Sequence, residues 1–277
     1  MGKFEKNASI EDHQISQQIY NHHVKQFKNN HDKMPSKKLT IISDIHGNLE
    51  AFKAVLSDVD DLGLETIVCL GDNIGYGPDP DEVLKLLRSR NIPSLMGNHE
   101  WGLVDESSLF WFNPQARRSL LQNQQLLSDE SLAYLETLPI NMFINDCLLV
   151  HACPPDSFRT YLFELSPIQL TEIFKEMEYG LCMVGHTHDL VLISYTDGQV
   201  KTERLVEGTQ ILDEKSKHII NVGSVGQPRD GNNNAKYIIW DSETRTLEVR
   251  FVPYDIKITV EKIMALGLPR INADRLW

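Results

Sequence analysis

The feature that most constrains the fold of this chain is a series of short apolar runs, each rich in β-branched residues and bounded by Gly, Asp, Asn or His. The runs are residues 39–42, 66–70, 147–150, 181–184 and 218–222. Continuous apolar runs of this length predict strands that are buried on both faces, in a sheet covered by helices. The intervening sequence predicts helices over residues 49–60, 79–90, 114–136 in one or two pieces, 167–178 and 258–266.

Beyond residue 190 the pattern changes to pairs of adjacent strands. Residues 191–195 are followed by an Asp-Gly turn at 197–198, and residues 237–240 are followed by a second run at 247–252. Such pairs predict antiparallel hairpins. Together with the earlier runs they predict an α/β fold with mixed strand directions, in one domain over residues 39–277.

Residues 1–38 differ from the rest of the chain because they are rich in Asn, Gln, Lys and His and contain almost no Gly. Their apolar residues recur near one helical face, so a marginal amphipathic helix is predicted within this polar N-terminal extension. It is either a docking or oligomerisation helix, or else a tail or a helix that lies on its own domain. We favour the second interpretation because short helices are weak alone.

Charge and composition exclude several classes of partner. The 27 basic and 39 acidic residues give a net charge of −12, which disfavours non-specific binding to a nucleic-acid duplex or an anionic membrane. The chain has no apolar run of membrane-spanning length and no signal-peptide core. Its four cysteines are widely separated and lack a C-x-x-C spacing, which favours a reducing, cytoplasmic environment. The sequence carries no signal for an oligomeric state.

Residues able to bind metal follow several of the apolar runs. Each alone has an ordinary explanation as a turn, a helix cap or an isolated polar residue. In open α/β sheets, however, ligands gather beyond the carboxyl ends of the strands, so these side chains are expected to converge. The candidate metal ligands are Asp44, His46, Asp72, Asn98, His151, His186 and His188.

Imidazole and carboxylate ligands without thiolate suit divalent ions such as Mn²⁺, Fe²⁺ or Zn²⁺. Two such ions need a shared carboxylate, and Asp72 is suited to that position. Two ions about 3.5 to 4 Å apart can hold a hydroxide nucleophile and neutralise phosphoryl oxygens. The residues therefore predict hydrolysis of a phosphate ester, with the ions providing a local positive site in an acidic protein.

Five motifs in order give the chain a close resemblance to the calcineurin-like metallophosphoesterase superfamily. They are Asp44-Ile45-His46, Gly71-Asp72, Gly97-Asn98-His99-Glu100, His151 and Gly185-His186-Thr187-His188. Residues 71–78 and 223–230 also look like a compact bacterial and archaeal branch related to YfcE-type phosphodiesterases. The resemblance covers residues from 39 onward. It implies a four-layer αββα sandwich in which two mixed sheets pack face to face with helices outside.

The resemblance also implies roles for individual residues. Asp44, His46 and His188 would bind one ion, Asn98, His151 and His186 the other, and Asp72 both. Mn²⁺ is the expected ion, with Fe, Zn, Ni or Co as alternatives.

His99 would not bind metal. It would act as the general acid, donating to a phosphoryl oxygen or to the leaving group. Glu100 would orient His99, with a solvated or helix-capping role as the alternative.

Substrate contacts are predicted at three further positions. Arg229, after a Gly-Ser-Val-Gly loop, would hold a non-scissile phosphate or form a surface salt bridge. Asn73 and Tyr76 would shape the mouth of the site, with a turn role and packing as their respective alternatives. The larger protein phosphatases of the superfamily have an Arg soon after the shared Asp, whereas Ile74-Gly75-Tyr76 stands here. This departure disfavours phosphoprotein substrates.

The leading hypothesis is a phosphodiesterase that acts on a small, nucleotide-like phosphate ester. Alternatives are a dinucleoside polyphosphate hydrolase, motivated by Arg229, and a protein phosphatase. A non-enzymatic scaffold is the remaining alternative, and it is disfavoured because all the ligands and His99 are retained.

Overall fold

A computed structural model of the chain describes residues 37–277. The helix predicted within the N-terminal extension lies outside the described residues. In chain order the strands are β1 Lys38–Ile42, β2 Ile67–Cys69, β3 Asn141–Ile144, β4 Cys147–Val150, β5 Leu181–Val184, β6 Leu190–Thr196, β7 Gln199–Arg204, β8 Gly208–Ile211, β9 Lys217–Val222, β10 Ala235–Asp241 and β11 Thr246–Val252.

The strands form two mixed sheets. The first has the order β2-β1-β10-β11-β8 and the second β3-β4-β5-β9-β6-β7. In the first sheet β1 and β2 are parallel and the other neighbours are antiparallel. In the second sheet β4, β5 and β9 run parallel. The parallel strands of each sheet therefore end at a common edge.

Helices follow these strands along the chain. Several begin with polar caps; for example, the Asn48 side chain accepts from the Ala51 N–H, and the Ser166 hydroxyl accepts from the Gln169 N–H. The α-helices are α1 Leu49–Asp61, α2 Pro80–Ser89, α3 Asn98–Val104, α4 Pro114–Gln124, α5 Asp129–Leu135, α6 Pro167–Glu176, α7 Ile256–Ala265 and α8 Arg270–Asp274. Short 3₁₀ helices cover Glu106–Trp111 and Leu162–Glu164.

The alternation of side chains along each strand builds four layers. Leu39 and Ile41 of β1 pack with Leu149 of β4 in a core between the two sheets. Ile42, on the opposite face of β1, packs with Phe52 of α1. Further clusters join the outer faces of both sheets to helices. The predicted αββα sandwich is confirmed. Its apolar runs are buried on both faces because each sheet packs against the other sheet on one face and against helices on the opposite face.

Most of the predicted elements are found. The segment predicted over 114–136 in one or two pieces forms two helices, α4 and α5. Residues 94–97 form a single bridge from Ser94 to Cys69, after which the chain turns at once into α3. The sequence reading did not identify β3, β8, α3 and α8, which are short and carry weak patterns.

Among residues 37–277, no helix has both the length and the apolar character needed to cross a membrane.

Candidate metal centre and active site

The predicted ligands meet where the parallel strands of both sheets end. Asp44 and His46 follow β1, and Asp72 follows β2. In the second sheet His151 follows β4, while the Gly-His-Thr-His segment follows β5. Asn98 is the first residue of α3. The two sheets thus contribute to one buried cluster of carboxylates and imidazoles.

The backbone at this edge is strained. Five of the predicted ligands have positive φ angles: Asp44 (54°), His46 (49°), Asp72 (54°), His186 (68°) and His188 (64°). Residues other than glycine rarely adopt this left-handed conformation, and it concentrates at functional sites. Each strand therefore ends in a sharp turn that directs its side chain inward.

One group of ligands joins the two sheets. His188 Nε2 lies 3.3 Å from Asp44 Oδ1, and His46 Nε2 lies 3.7 Å from the same oxygen. The two Nε2 atoms lie 3.0 Å apart. These three side chains present their ligand atoms to one small volume.

A second group lies beside the first and is centred on Asp72, His151 and His186. Asp72 Oδ2 lies 3.4 Å from His151 Nε2, and Asn98 Oδ1 lies 3.2 Å from that same nitrogen. The same Asp72 oxygen is 3.8 Å from His46 Nε2 in the first group. The Asp72 carboxylate therefore lies between the two groups.

Backbone carbonyls fix the tautomer of all four ligand imidazoles. Their oxygens accept the Nδ1 proton of His46 (Ile74, 2.9 Å), of His151 (Leu70, 2.9 Å) and of His188 (Gln227, 2.5 Å), and the Nε2 proton of His186 (Arg159, 3.2 Å). When such a ring is neutral, its other nitrogen keeps its lone pair, which is the arrangement found in metal-ligating histidines.

Two buried features of this cluster require a cation. Asp44 Oδ1 has no hydrogen-bond partner among the described residues, although Asp44 Oδ2 accepts from the His186 N–H at 3.0 Å. The Nε2 atoms of His46 and His188 face each other with lone pairs. Buried groups of this kind are costly unless a cation pairs with them. The residues present fit a divalent metal ion.

Electrostatics favour the metal-binding protonation state at His186, His46 and Asp72. Burial lowers the pKa of His186 to about 3 and that of His46 well below its ordinary value, so both rings are neutral at pH 7. Burial alone would raise the pKa of Asp72, but the His151 and His99 imidazoles hold this pKa well below its usual range. The Asp72 carboxylate is therefore charged. At His151 burial lowers the pKa, but the Asp72 carboxylate outweighs burial and raises this pKa to about 9, so a bound ion would displace the Nε2 proton.

The contacts of Glu100 agree with the helix-capping alternative and not with the expected orientation of His99, because its carboxylate accepts from the N–H of Gly97, the N-cap residue of α3. Glu100 is fully buried, and its carboxylate accepts from the N–H groups of Asp72 (2.9 Å), Asn73 (2.6 Å) and Gly97 (2.9 Å). These bonds fix the loop that carries Asp72 and do not involve the His99 ring. Burial and the Asp72 charge raise the pKa of Glu100 to about 7. Its contacts assign it to the support of Asp72, and the structure gives no sign that it orients His99.

Asn73 does not lie at the mouth of the site, contrary to the expectation that it contacts substrate. It is fully buried. Its amide donates to Ser94 Oγ at 2.9 Å and to Glu100 Oε1 at 3.2 Å, and its oxygen accepts from Cys69 Sγ at 3.0 Å. These contacts join the Asp72 loop to the interior, so the turn role is the one that the structure supports.

His99 is packed among aromatic rings beside the metal ligands. Its ring centroid lies 4.8 Å from those of His46 and Tyr76 and 5.2 Å from that of Phe112. Its backbone N–H donates to Asp72 Oδ1 at 2.9 Å, and its Nδ1 has no hydrogen-bond partner among the described residues. Burial lowers its pKa to about 4, so the ring is neutral at rest.

A cavity of about 330 Å³ opens onto this cluster. The predicted Tyr76 and Arg229 line it, and Arg229 Nη2 donates to Gln227 Oε1 at 3.0 Å. The full lining is Asp72, Tyr76, Asn98, His99, Trp111, Phe112, Asn113, Ala116, Arg159, Tyr161, His186, His188 and Arg229.

The predicted site residues do not include the residues of the cavity wall that come from segments 101–112 and 154–166, although the shape of the cavity is expected to depend on these segments. The Arg159 guanidinium lies 4.1 Å over the Trp111 ring, and the Tyr161 ring stacks on His186 at 4.1 Å. The signal that was available is the density of aromatic residues in segments 108–112 and 158–163, but only the folded loops show which rings face the cavity.

Polar side chains behind the ligands were also missed. Asn221 Nδ2 donates to the Gly185 oxygen at 2.6 Å and to Thr187 Oγ1 at 2.8 Å, which fixes the segment that carries His186 and His188. The Ser224 hydroxyl donates to the backbone carbonyl oxygen of Asp44 at 2.8 Å.

The four cysteines are free and buried. Burial raises the pKa of Cys153, the nearest in sequence to a ligand, to about 12, so its thiol is protonated and unsuited to nucleophilic attack.

Comparisons with known proteins agree with the fold and the motifs. Residues 38–245 match the model of the calcineurin-like phosphoesterase superfamily domain. An uncharacterized protein of Methanocaldococcus jannaschii is 39% identical over 251 residues, which cover 88% of this chain and 99% of that protein. A metallophosphoesterase of Sphaerobacter thermophilus has a crystal structure that superposes with a TM-score of 0.74 at 36% identity, covering 86% of this chain and 97% of that one. A hypothetical protein of Pyrococcus horikoshii shares the fold, with a TM-score of 0.71 at 20% identity over 87% of this chain and 97% of the other.

Proposed function

Because the chain belongs to the calcineurin-like phosphoesterase superfamily and is a metal-dependent phosphoester hydrolase, we propose that it is a phosphodiesterase that acts on a small, nucleotide-like substrate. The observation that carries this proposal is the set of four buried imidazoles, each fixed by a backbone carbonyl with its free nitrogen available to a metal. A scaffold that had lost its chemistry would have no need to keep this arrangement.

We propose two divalent ions, with Mn²⁺ as the first candidate because the ligands are nitrogen and oxygen atoms without thiolate. Asp44, His46 and His188 would hold one ion, and Asn98, His151 and His186 the other. The position of Asp72 between the two groups supports its role as the shared ligand. When bound, two such ions supply a water nucleophile of lowered pKa and neutralise charge on the phosphoryl oxygens.

His99 is the proposed general acid. Its ring is neutral at rest, but an anionic phosphate ester beside it would raise its pKa and favour the protonated form. A proton could then pass from His99 to the leaving-group oxygen as the ester bond breaks. The buried position beside Tyr76 and Phe112 supports this role, because it fixes the ring and excludes water.

The cavity supports a substrate of nucleotide size. Its volume of about 330 Å³ falls within the range of roughly 300 to 1,000 Å³ of small-molecule sites. Its walls combine aromatic rings with the guanidinium groups of Arg159 and Arg229. Aromatic faces suit a planar base, and guanidinium groups suit phosphate oxygens. We assign Arg229 to a non-scissile phosphate and Tyr76 to the cavity wall.

A second candidate function is hydrolysis of dinucleoside polyphosphates. The presence of two arginines in the cavity lining favours it, because such substrates carry several phosphates beyond the scissile bond.

The test is turnover on a substrate panel with Mn²⁺ and with excess chelator. The panel contains bis-p-nitrophenyl phosphate, p-nitrophenyl phosphate, cyclic nucleotides and dinucleoside polyphosphates. We expect metal-dependent cleavage of diesters in preference to the monoester. His218→Gln, a buried histidine remote from the ligands, is the control and should remain active. Equal activity with chelator would refute the metal-dependent mechanism, and release of mononucleotides from dinucleoside polyphosphates alone would favour the second candidate.

A further inference from the structure

We propose that the C-terminal helix α8 is a working part of the active site, with Asn272 as a positioning residue for the cavity wall at Tyr76. The inference rests on the proposed function, in which Tyr76 lines the substrate cavity. Asn272 lies beyond residues 38–245, which match the superfamily model.

Two buried asparagines hold the backbone of residues 75–77. Asn123 of α4 accepts from the Gly75 N–H at 2.6 Å and donates to the Gly77 oxygen at 3.0 Å. Asn272 of α8 donates to the backbone carbonyl oxygen of Tyr76 at 2.9 Å. Three consecutive residues therefore have a backbone polar group fixed by a side chain from a distant helix.

The bonds of Asn272 link three elements of the fold. Besides the Tyr76 oxygen, its amide donates to the hydroxyl of Ser119 on α4 at 2.9 Å. Asn272 is 2% exposed and Asn123 is 0% exposed, so water does not compete for these bonds. An amide with two donors is suited to this position because both partners are oxygen atoms.

The segment needs this support because its backbone is strained and closely packed. Tyr76 has a φ of 59°, which is unusual for a large side chain. At Gly75, where φ is 88°, a Cβ atom would lie 2.1 Å from His99 Nδ1. The segment thus passes directly against the proposed general acid, and a small shift would move the Tyr76 ring or press on His99.

The Tyr76 ring packs against two residues at the centre of the site. Its centroid lies 4.7 Å from that of His46 and 4.8 Å from that of His99. Displacement of this ring would alter the cavity next to both a metal ligand and the proposed acid. The hydrogen bonds of Asn272 go to the Tyr76 backbone and to Ser119, and neither partner is a proposed metal ligand, so its role is indirect.

The C-terminal helices are anchored firmly enough to act as a support. Ile263 of α7 packs in a buried cluster with Leu268 and Ala273. Lys262 of α7 forms ion pairs with Glu50 (2.6 Å) and Asp79 (2.9 Å), near the starts of α1 and α2. A rigid support places a functional residue more accurately than a free loop does.

The experiment compares Asn272→Leu, which keeps a similar shape but removes both donors, with Arg270→Ala on the exposed side of the same helix. Full-length, Mn²⁺-loaded protein is used for kcat and KM on bis-p-nitrophenyl phosphate and for calorimetric binding of inorganic phosphate. We expect Asn272→Leu to raise KM and weaken phosphate binding by about 10-fold, with unchanged metal content. Arg270→Ala should change neither value.

A double-mutant cycle separates positioning from general destabilisation. In a Tyr76→Ala background, Asn272→Leu should change KM and phosphate affinity by less than about 2-fold, since the ring that it positions is gone. Effects that multiply in the double variant would overturn the proposal. A lower Tm with unchanged KM and phosphate affinity would assign Asn272 a purely structural role and overturn it as well.

Two further arms keep the test decisive. If Asn272→Leu does not fold, Ser119→Ala removes the other partner of Asn272, and a smaller KM increase that Tyr76→Ala abolishes supports the proposal, whereas an unchanged KM overturns it. If the wild-type protein binds phosphate but hydrolyses no member of the panel, the proposed function fails, while the phosphate affinities of the variants still test Asn272.

Discussion

Two buried histidines lie near opposite ends of strand β9. They differ in how many of their ring nitrogens the fold supplies with a hydrogen-bond partner. His218, near the start of the strand, has both ring nitrogens in hydrogen bonds. Its Nε2 donates to the backbone carbonyl oxygen of Asp213 at 3.0 Å, and its Nδ1 accepts from the Ser194 hydroxyl at 3.0 Å. Beyond the other end of β9, the Gln227 oxygen fixes Nδ1 of His188. The Nε2 of His188 faces His46 and Asp44 instead.

The comparison shows that burial alone does not distinguish a structural histidine from a ligand. Both rings are almost fully buried, at 3% and 2% exposed. The difference is that the fold completes the hydrogen bonds of His218 and leaves one nitrogen of His188 available. An unsatisfied buried nitrogen, held in place by a satisfied one, is the mark of a binding site.

Of the changes that test this comparison, removing the charge of Asp72 should have the largest effect on activity. We expect Asp72→Asn to lower kcat/KM by at least about 10³-fold, equivalent to about 4 kcal/mol, because the carboxylate between the two ligand groups is lost. The measurement is steady-state turnover with metal analysis of the purified protein. His218→Gln is the matched control at the satisfied end, and activity in Asp72→Asn within 10-fold of wild type would show that this carboxylate is dispensable.

Removing His99 should separate chemistry from metal binding. His99→Asn is expected to lower kcat by about 10²-fold or more while the metal content stays at the wild-type level, because His99 is not one of the proposed ligands. Turnover and metal analysis on the same preparation provide the check. Loss of metal in this variant would instead place His99 among the ligands.

Added metal should stabilise the protein by binding at the cluster that contains His188. His218, whose hydrogen bonds are complete, should contribute nothing to this stabilisation. At roughly 100 times its dissociation constant a ligand adds about 2.7 kcal/mol to the free energy of unfolding. For a domain of this size we expect the Tm to rise by about 5 to 10 °C on adding Mn²⁺ to chelator-treated protein. The rise should persist in His218→Gln and largely disappear in Asp72→Asn, as read by thermal unfolding. An equal rise in all three proteins would mean that Mn²⁺ binds elsewhere.

The smallest effect should come from pH acting on His218. Burial lowers its pKa in the folded protein, so its contribution to stability is complete above the unfolded pKa of about 6.5. As the pH falls below that value, the unfolded chain gains a proton that the native state does not, and the contribution is lost. The slope from this group is at most about 1.4 kcal/mol per pH unit.

His218→Gln tests this assignment. The variant should be about 1 kcal/mol less stable at pH 7.5, and the difference from wild type should shrink as the pH falls. Urea unfolding of both proteins with chelator at pH 7.5, 6.5 and 5.5 measures it. A difference that stays constant with pH would show that His218 titrates alike in both states.

The sequence was most informative where residue type and periodicity decide the structure. Apolar runs such as residues 39–42 can be buried on both faces only in a covered sheet, and Asp and His after several such runs have few common purposes. The helices α1, α2 and α6 follow from apolar spacing and from Asn, Ser and Pro near their starts.

The remainder depends on contacts between distant residues. The sequence predicts that Glu100 orients His99 and that Asn73 shapes the mouth of the site, yet Glu100 holds the Asp72 loop and Asn73 joins that loop to the interior. The reach of Asn272 to Tyr76 spans nearly 200 positions. An asparagine carries no periodic signal, so its partner becomes known only when α8 and the loop that carries Tyr76 are both in place. The left-handed backbone at the ligands is equally invisible, because Asp and His tolerate many conformations.

That left-handed backbone also bears on how this protein can evolve. Asp44, His46, Asp72, His186 and His188 each adopt a conformation that costs a residue with a Cβ atom roughly 1 to 2 kcal/mol. Glycine at any of them would relieve the strain, so selection for stability alone would remove the ligands. A descendant that lost its substrate would therefore be expected to lose these five side chains early and to become more stable as it did so.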